Sequence, residues 1–144
     1  MDFRNLLVSQ KPTDEWAEIT GLPRDFFRLF CPIEFGEGEG LKCAPHFVVS
    51  IQASRCHHCD PQEELDDASL YKSFEVLLTE FADGSERLVN PLDHPYFRQY
   101  EWKRHWEHEN EYCCGLFVPT ADVQQICDDL EELVADLSDH TPFS

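Results

Sequence analysis

No basic residue follows Arg104 in this 144-residue chain. Residues 105–144 contain ten Asp and Glu and neither Lys nor Arg, a net of −10. The first 104 residues contain 19 acids and all 11 bases, a net of −8. The whole chain therefore carries −18. A protein that grips nucleic acid needs a basic face for the phosphates, and this one has none to spare. The same charge opposes docking on an anionic membrane surface. Charge this uneven points to an acidic surface made for a cationic partner, although net charge also serves solubility.

Other absences narrow the reading. No run approaches the roughly 18 apolar residues that span a bilayer. The N-terminus, Met1 to Val8, begins with an acid and has only a three-residue apolar run, so it lacks the pattern of a secretory signal. Seven cysteines are an odd number without the spacing of a disulfide scaffold. A reduced, cytoplasmic protein is expected. There is no internal repeat, no Walker loop, no G-x-S-x-G elbow and no zinc-deaminase signature. Phe35-Gly-Glu-Gly-Glu-Gly40 resembles a phosphate loop only in its glycines, because Glu37 and Glu39 repel phosphate.

What is present suffices for one core. Hydrophobic residues make up 42% of the chain and aromatics 12%, which fits a single domain over residues 1–144. Thr13 to Gly21 reads as a helix with a cap, acids in the first turn and a glycine stop. A second short helix is expected from Pro23, with Phe26, Phe27 and Phe30 on one side and Pro32 as its end. Phe47–Ser54 and Ser73–Phe81 alternate as strands. Asp83-Gly84 turns the second of these into Arg87-Leu88-Val89. Residues 96–106 are ambiguous. Tyr100, Trp102 and Trp106 suit a strand face, Tyr96/Tyr100 and Trp102/Trp106 suit helical pairs, and the reading leans to a strand in the second half. Tyr112–Val118 would then complete a second hairpin.

The last element is the clearest. Thr120 heads a helix from Ala121 to about Ser138, in which Val123, Ile126, Cys127, Leu130, Leu133, Val134 and Leu137 fall within roughly 120° of arc. Asp128, Glu131, Glu132 and Asp136 lie opposite, and Asp122 and Asp129 sit near the apolar edge. The expected fold is α+β: a mainly antiparallel sheet of four to six strands, two short N-terminal helices, and a long amphipathic C-terminal helix packed on the sheet.

Cys56-His57-His58-Cys59 is the most metal-like segment, since C-x-x-C forms half of a tetrahedral zinc site. Cys43-Ala-Pro-His46 cannot complete it across an extended strand. Ten steps at about 3.3 Å separate His46 from Cys56 by roughly 33 Å. A redox role for Cys56 and Cys59 needs a following helix, which Asp60-Pro61 opposes. His105-Trp-Glu-His108 has the wrong spacing for a zinc-protease helix. A metal at Cys56 and Cys59 is thus not favoured, no cofactor is expected, and no catalytic residue stands out.

The sequence therefore points to an acidic, non-enzymatic inhibitor that binds a basic protein, in concrete form a bacterial immunity protein against a nuclease-like toxin. It would use Asp128, Glu131, Glu132 and Asp136 for steering, with Tyr100 and Trp102 as aromatic anchors. Nucleic-acid mimicry is the alternative. The 18-residue helix spans about 27 Å. Duplex DNA of that length carries roughly 16 phosphates against the helix's six acids. A zinc-binding enzyme or adaptor is the third reading.

Overall fold

The computed structural model describes residues 2–10, 28–36, 46–54, 57–63, 65, 67–82, 85–107 and 113–139. Within them, six strands form one sheet: β1 (Val8–Gln10), β2 (Arg28–Phe35), β3 (His46–Ala53), β4 (Ser73–Ala82), β5 (Ser85–Leu88) and β6 (Gly115–Pro119). A single α-helix, α1 (Thr120–Asp139), closes the described chain. Every pairing of these strands is antiparallel, so the α+β architecture expected from hairpins holds. The strand order is β1-β2-β3-β4-β5, with β6 also on β4.

β3 and β4 form the centre because their alternation is strongest. Phe47, Val49, Ile51 and Ala53 of β3 are fully buried, and so are Val76 and Leu78 opposite them in β4. β2 extends this face with Ile33 and Phe35, while Pro32 and Glu34 point out. α1 lays Val123, Ile126, Cys127 and Leu130 on the core, all at 0% exposure, with Leu133 and Val134 close behind. The stripe written in the sequence is the buried stripe. Thr120 starts the helix against the sheet, its amide donating to Lys72 O at 3.1 Å and its hydroxyl lying 3.3 Å from the same oxygen.

Two expectations are corrected here. The second N-terminal helix does not extend over residues 28–30, because Arg28–Phe35 is β2, with Phe30 paired to Val8 on one side and Gln52 on the other. Aromatic spacing over so short a run fits either period, and sheet pairing decides it. Pro32 does not end an element. It sits inside β2 beyond the last pairing with β1, where no outer partner needs its missing N–H. The expected helix over residues 13–21 lies outside the described residues, as do residues 23–27. The N-terminal helical structure that is described is one 3-10 turn, Phe3–Leu6, capped by Asp2.

The second correction concerns residues 96–106. Glu101–Trp106 is a 3-10 helix, reached through turns, and β6 pairs with β4 instead of with this segment. A strand would place Trp102, Arg104 and Trp106 on one face and carry the Arg104 charge into the core. The helical turn buries both indoles, each 3% exposed, and swings Arg104 to solvent.

β5 and β6 lie end to end on the same edge of β4. The chain leaves that edge after Val89, whose amide donates to Leu78 O at 2.8 Å. It returns at Gly115, opposite Val76. Residues 90–107 are thus the described part of an excursion from one interrupted strand path, folded back over the core. Phe97 is its anchor, fully buried and edge-on to Phe47 at 5.4 Å. Gly115 is required at the return: a Cβ there would lie 2.9 Å from two ring carbons of Trp106.

Candidate interaction surface

The excursion is fastened to α1 through two acids near the edge of the helix's apolar stripe. The Trp102 indole Nε1 donates to Asp129 Oδ2 at 2.9 Å, and Gln125 Nε2 donates to the other oxygen at 2.9 Å. Trp106 has no such acceptor, and its indole Nε1 is buried without a partner among the described residues. Two turns toward the helix start, Asp122 Oδ2 receives Arg104 Nη2 at 2.9 Å and His105 Nε2 at 2.7 Å. Asp122 thus compensates the positive helix end and holds the Arg104 side chain at once. Both carboxylates have structural work.

Tyr100 and Trp102 share a site but not a role. Trp102 is buried, so it is unavailable as a contact residue. The expectation of an exposed indole anchor is corrected, because the ring faces the core and its N–H is taken by Asp129. Tyr100 is half-buried and lies flat on Trp102, with centroids 5.2 Å apart and planes 11° apart. Burial pushes the Tyr100 phenol above its ordinary value. Asp129 pushes it the same way, as do Glu132 and Asp136 more weakly, against a hydrogen bond from Gln99. The tyrosine therefore senses the acids of α1.

Asp128, Glu131, Glu132 and Asp136 are exposed. Among the described residues, none of the four is ion-paired with a base. Asp128 accepts only a neutral hydrogen bond from Gln124, at 3.0 Å. No base stands in the last turn of α1, so Asp136 also meets the negative end of the helix dipole, a cost of a few tenths of a kcal/mol in solvent. This face is an unneutralised anionic ridge with Tyr100 beside it. Tyr112 lies outside the described residues, and Tyr96 is 40% exposed.

The metal-like segment forms a different centre from the one its cysteines suggest. Cys56 lies outside the described residues. The Cys59 thiol is buried and lies 3.2 Å from Ser54 O and 3.3 Å from Pro61 O. Burial pushes it up to about 11, so it is a protonated donor at neutral pH. Asp60 bridges to Ser73 and does not open a helix. His46 and Cys59 lie beyond opposite ends of β3's Phe47–Ala53 run, as the strand argument required.

Glu75, at the irregularity where β4 meets β6, gathers both histidines: His58 Nδ1 at 2.9 Å from Oε1, and His57 Nε2 at 3.8 Å from Oε2. His57 Nδ1 is 2.6 Å from Ser54 Oγ, but Ser54 is fully buried and offers no nucleophile to a substrate. Beside them Phe117 stands 46% exposed at φ 51°, edge-on to His58. The clue to this cluster was a lone glutamate within the apolar run 74–78, which the sequence reading passed over.

A second histidine–carboxylate pair lies under the excursion. His94 Nε2 is 2.8 Å from Glu80 Oε2, and its Nδ1 accepts the Tyr96 amide at 3.2 Å. Both ring nitrogens are occupied, which suits fastening better than proton transfer. A groove of about 380 Å³ opens alongside, lined by Arg87, Asn90 and Asp93. His105 is engaged by Asp122, and His108 lies outside the described residues. Among the described residues no three His, Cys, Asp or Glu are arranged to hold a metal ion, and no helix is long and apolar enough to cross a membrane.

In comparisons with protein-family models, curated proteins and solved structures, the chain matches none of them.

Proposed function

We propose that this protein is an acidic, non-enzymatic inhibitor that binds and neutralises a basic protein, and in its most concrete form a bacterial immunity protein acting in the cytoplasm against a nuclease-like toxin. The observation that carries the reading is the outward face of α1. Four exposed carboxylates have no basic partner among the described residues, while the helix's edge acids are engaged by Trp102, Arg104 and His105. A nuclease active site is positively charged because it binds phosphates. A compact anionic face matches that site and accelerates encounter by long-range attraction.

Such steering is screened beyond about 8–10 Å near physiological salt. The test is to isolate the bound partner from the native host, identify it by mass spectrometry, and measure association by stopped flow across a salt series. A basic partner and an on-rate that falls steeply with salt are expected. Replacing Asp128, Glu131, Glu132 and Asp136 with Asn or Gln should slow association at low salt and flatten the salt slope, with the fold intact. Equal on-rates for the two proteins at low salt would remove this helix face from the interface.

A further inference from the structure

The stacked pair beside the acidic ridge says which cation the ridge is built for, provided that the partner is the basic protein proposed above. We propose that the free face of Tyr100, backed by Trp102 and flanked by Glu132 and Asp136, receives an arginine guanidinium of the partner in preference to a lysine ammonium.

Three observations carry this. Tyr100 is fixed before any partner arrives. Its ring lies at 11° to Trp102, and Trp102 is itself 3% exposed and tied by its indole to Asp129. A ring held in place loses little freedom when a second plane is laid on it. No ring of the described residues is stacked on its other side, since Phe97 meets it tilted at 43° with centroids 6.2 Å apart.

Two of the protein's own nearby bases are also tied elsewhere. Arg104 is held by Asp122 and by Glu101 O, and the Lys103 amine donates to Arg98 O. Neither of these two bases takes the tyrosine or the acids beside it, which stay open to a cation from outside. Finally, the two acids stand four residues apart, one helical turn, on the exposed side of α1. The upward push of Glu132 and Asp136 on the phenol puts them within electrostatic reach of the same ring.

A planar group that stacks and donates in a fork fits an aromatic face bordered by carboxylates. Guanidinium does both and is weakly hydrated. Ammonium is a strongly hydrated point charge that gains from the acids but little from the plane.

The experiment uses the full chain at low salt with two capped probes, nine-residue oligoarginine and nine-residue oligolysine, and reads affinity by calorimetry. Oligoarginine should bind several-fold more tightly. Tyr100→Leu, which keeps apolar bulk and removes the π face, should weaken oligoarginine about two- to fivefold. It should leave oligolysine unchanged, so that the preference narrows. Tyr100→Phe should retain the preference, and unchanged circular dichroism and melting would show that both variants fold.

An arginine preference that survives Tyr100→Leu overturns the proposal, as does equal binding of the two peptides to the native chain. If equal binding is accompanied by loss of both peptides on neutralising Glu132 and Asp136, the basic-partner reading stands and the arginine receptor falls. If neither peptide binds, both fall.

Discussion

Asp128 and Asp129 are neighbours in sequence and belong to different parts of the molecule. At 100° per residue, that single step moves a carboxylate from the open side of α1 to the edge where residues 90–107 dock. On the docked edge, Asp122 and Asp129 receive an arginine, a histidine, an indole and a glutamine. On the open side, Asp128, Glu131, Glu132 and Asp136 receive no described cation. For Asp128 and Glu131 the angle separates an open acid from a fastening one, whereas Asp136 lies within about 20° of Asp129 around the helix and differs from it by two turns along the axis. Counting acids without that angle overstates the binding face.

Mutation should widen the contrast. The largest loss should come from the buried stripe. Leu130 is fully enclosed, so Leu130→Ala should cost about 2–5 kcal/mol in denaturant unfolding. A change under about 0.5 kcal/mol would mean that the stripe is surface and the two sides of the helix have been exchanged.

The docked edge should come next. Asp129→Ala leaves the Trp102 N–H buried without an acceptor, at about 1–3 kcal/mol, and should alter tryptophan emission. Asp129→Asn keeps an acceptor oxygen and should cost less. Equal effects of the two would mean that the indole bond contributes little.

Alkaline pH tests the buried thiols under the sheet, away from either edge. Burial raises Cys59 to about 11 and Cys114 to about 12, from an ordinary 9.0. Because these folded values lie above the unfolded one, stability is fully present below pH 9 and falls as the unfolded thiols ionise first. Unfolding followed by fluorescence should show the decline beginning near pH 9. In the native protein at pH 8, both thiols should resist alkylation. Among the described residues the Cys59 and Cys113 thiols are free, so reductant should leave the melting temperature unchanged.

The smallest stability effect should come from the open side. Each of the four neutralising substitutions should fall within about ±0.5 kcal/mol, and their effect should appear in association kinetics instead. A stability loss above that range would place these acids among the structural ones.

Some of this was legible in residue order. The 3.6-residue period of α1 survived because seven apolar positions agree and no competing period fits. β3 and β4 survived because their alternation continues over enough residues to exclude a helix. Residues 96–106 were not legible, since aromatic residues at steps of two and four satisfy both periods. Only the closure of Phe97, Trp102 and Trp106 over the sheet decides between them. Trp102 was mistaken for an anchor because large aromatic residues serve cores and interfaces equally well. Nothing in the order of residues tells which plane of a stacked pair ends up outside.

The sequence by itself determined the acidity, its concentration after Arg104, the antiparallel centre and the face that α1 buries. These follow from composition and from periods that any local stretch of chain expresses. Tertiary structure alone decided that β5 and β6 share one edge of β4, that residues 90–107 fold back over the core, and that Asp122 and Asp129 fasten that excursion. It also decided that Trp102 is buried while Tyr100 stays half-buried beside it. Those outcomes depend on contacts between residues far apart in the chain. Their energies exist only once the sheet, the helix and the excursion have met.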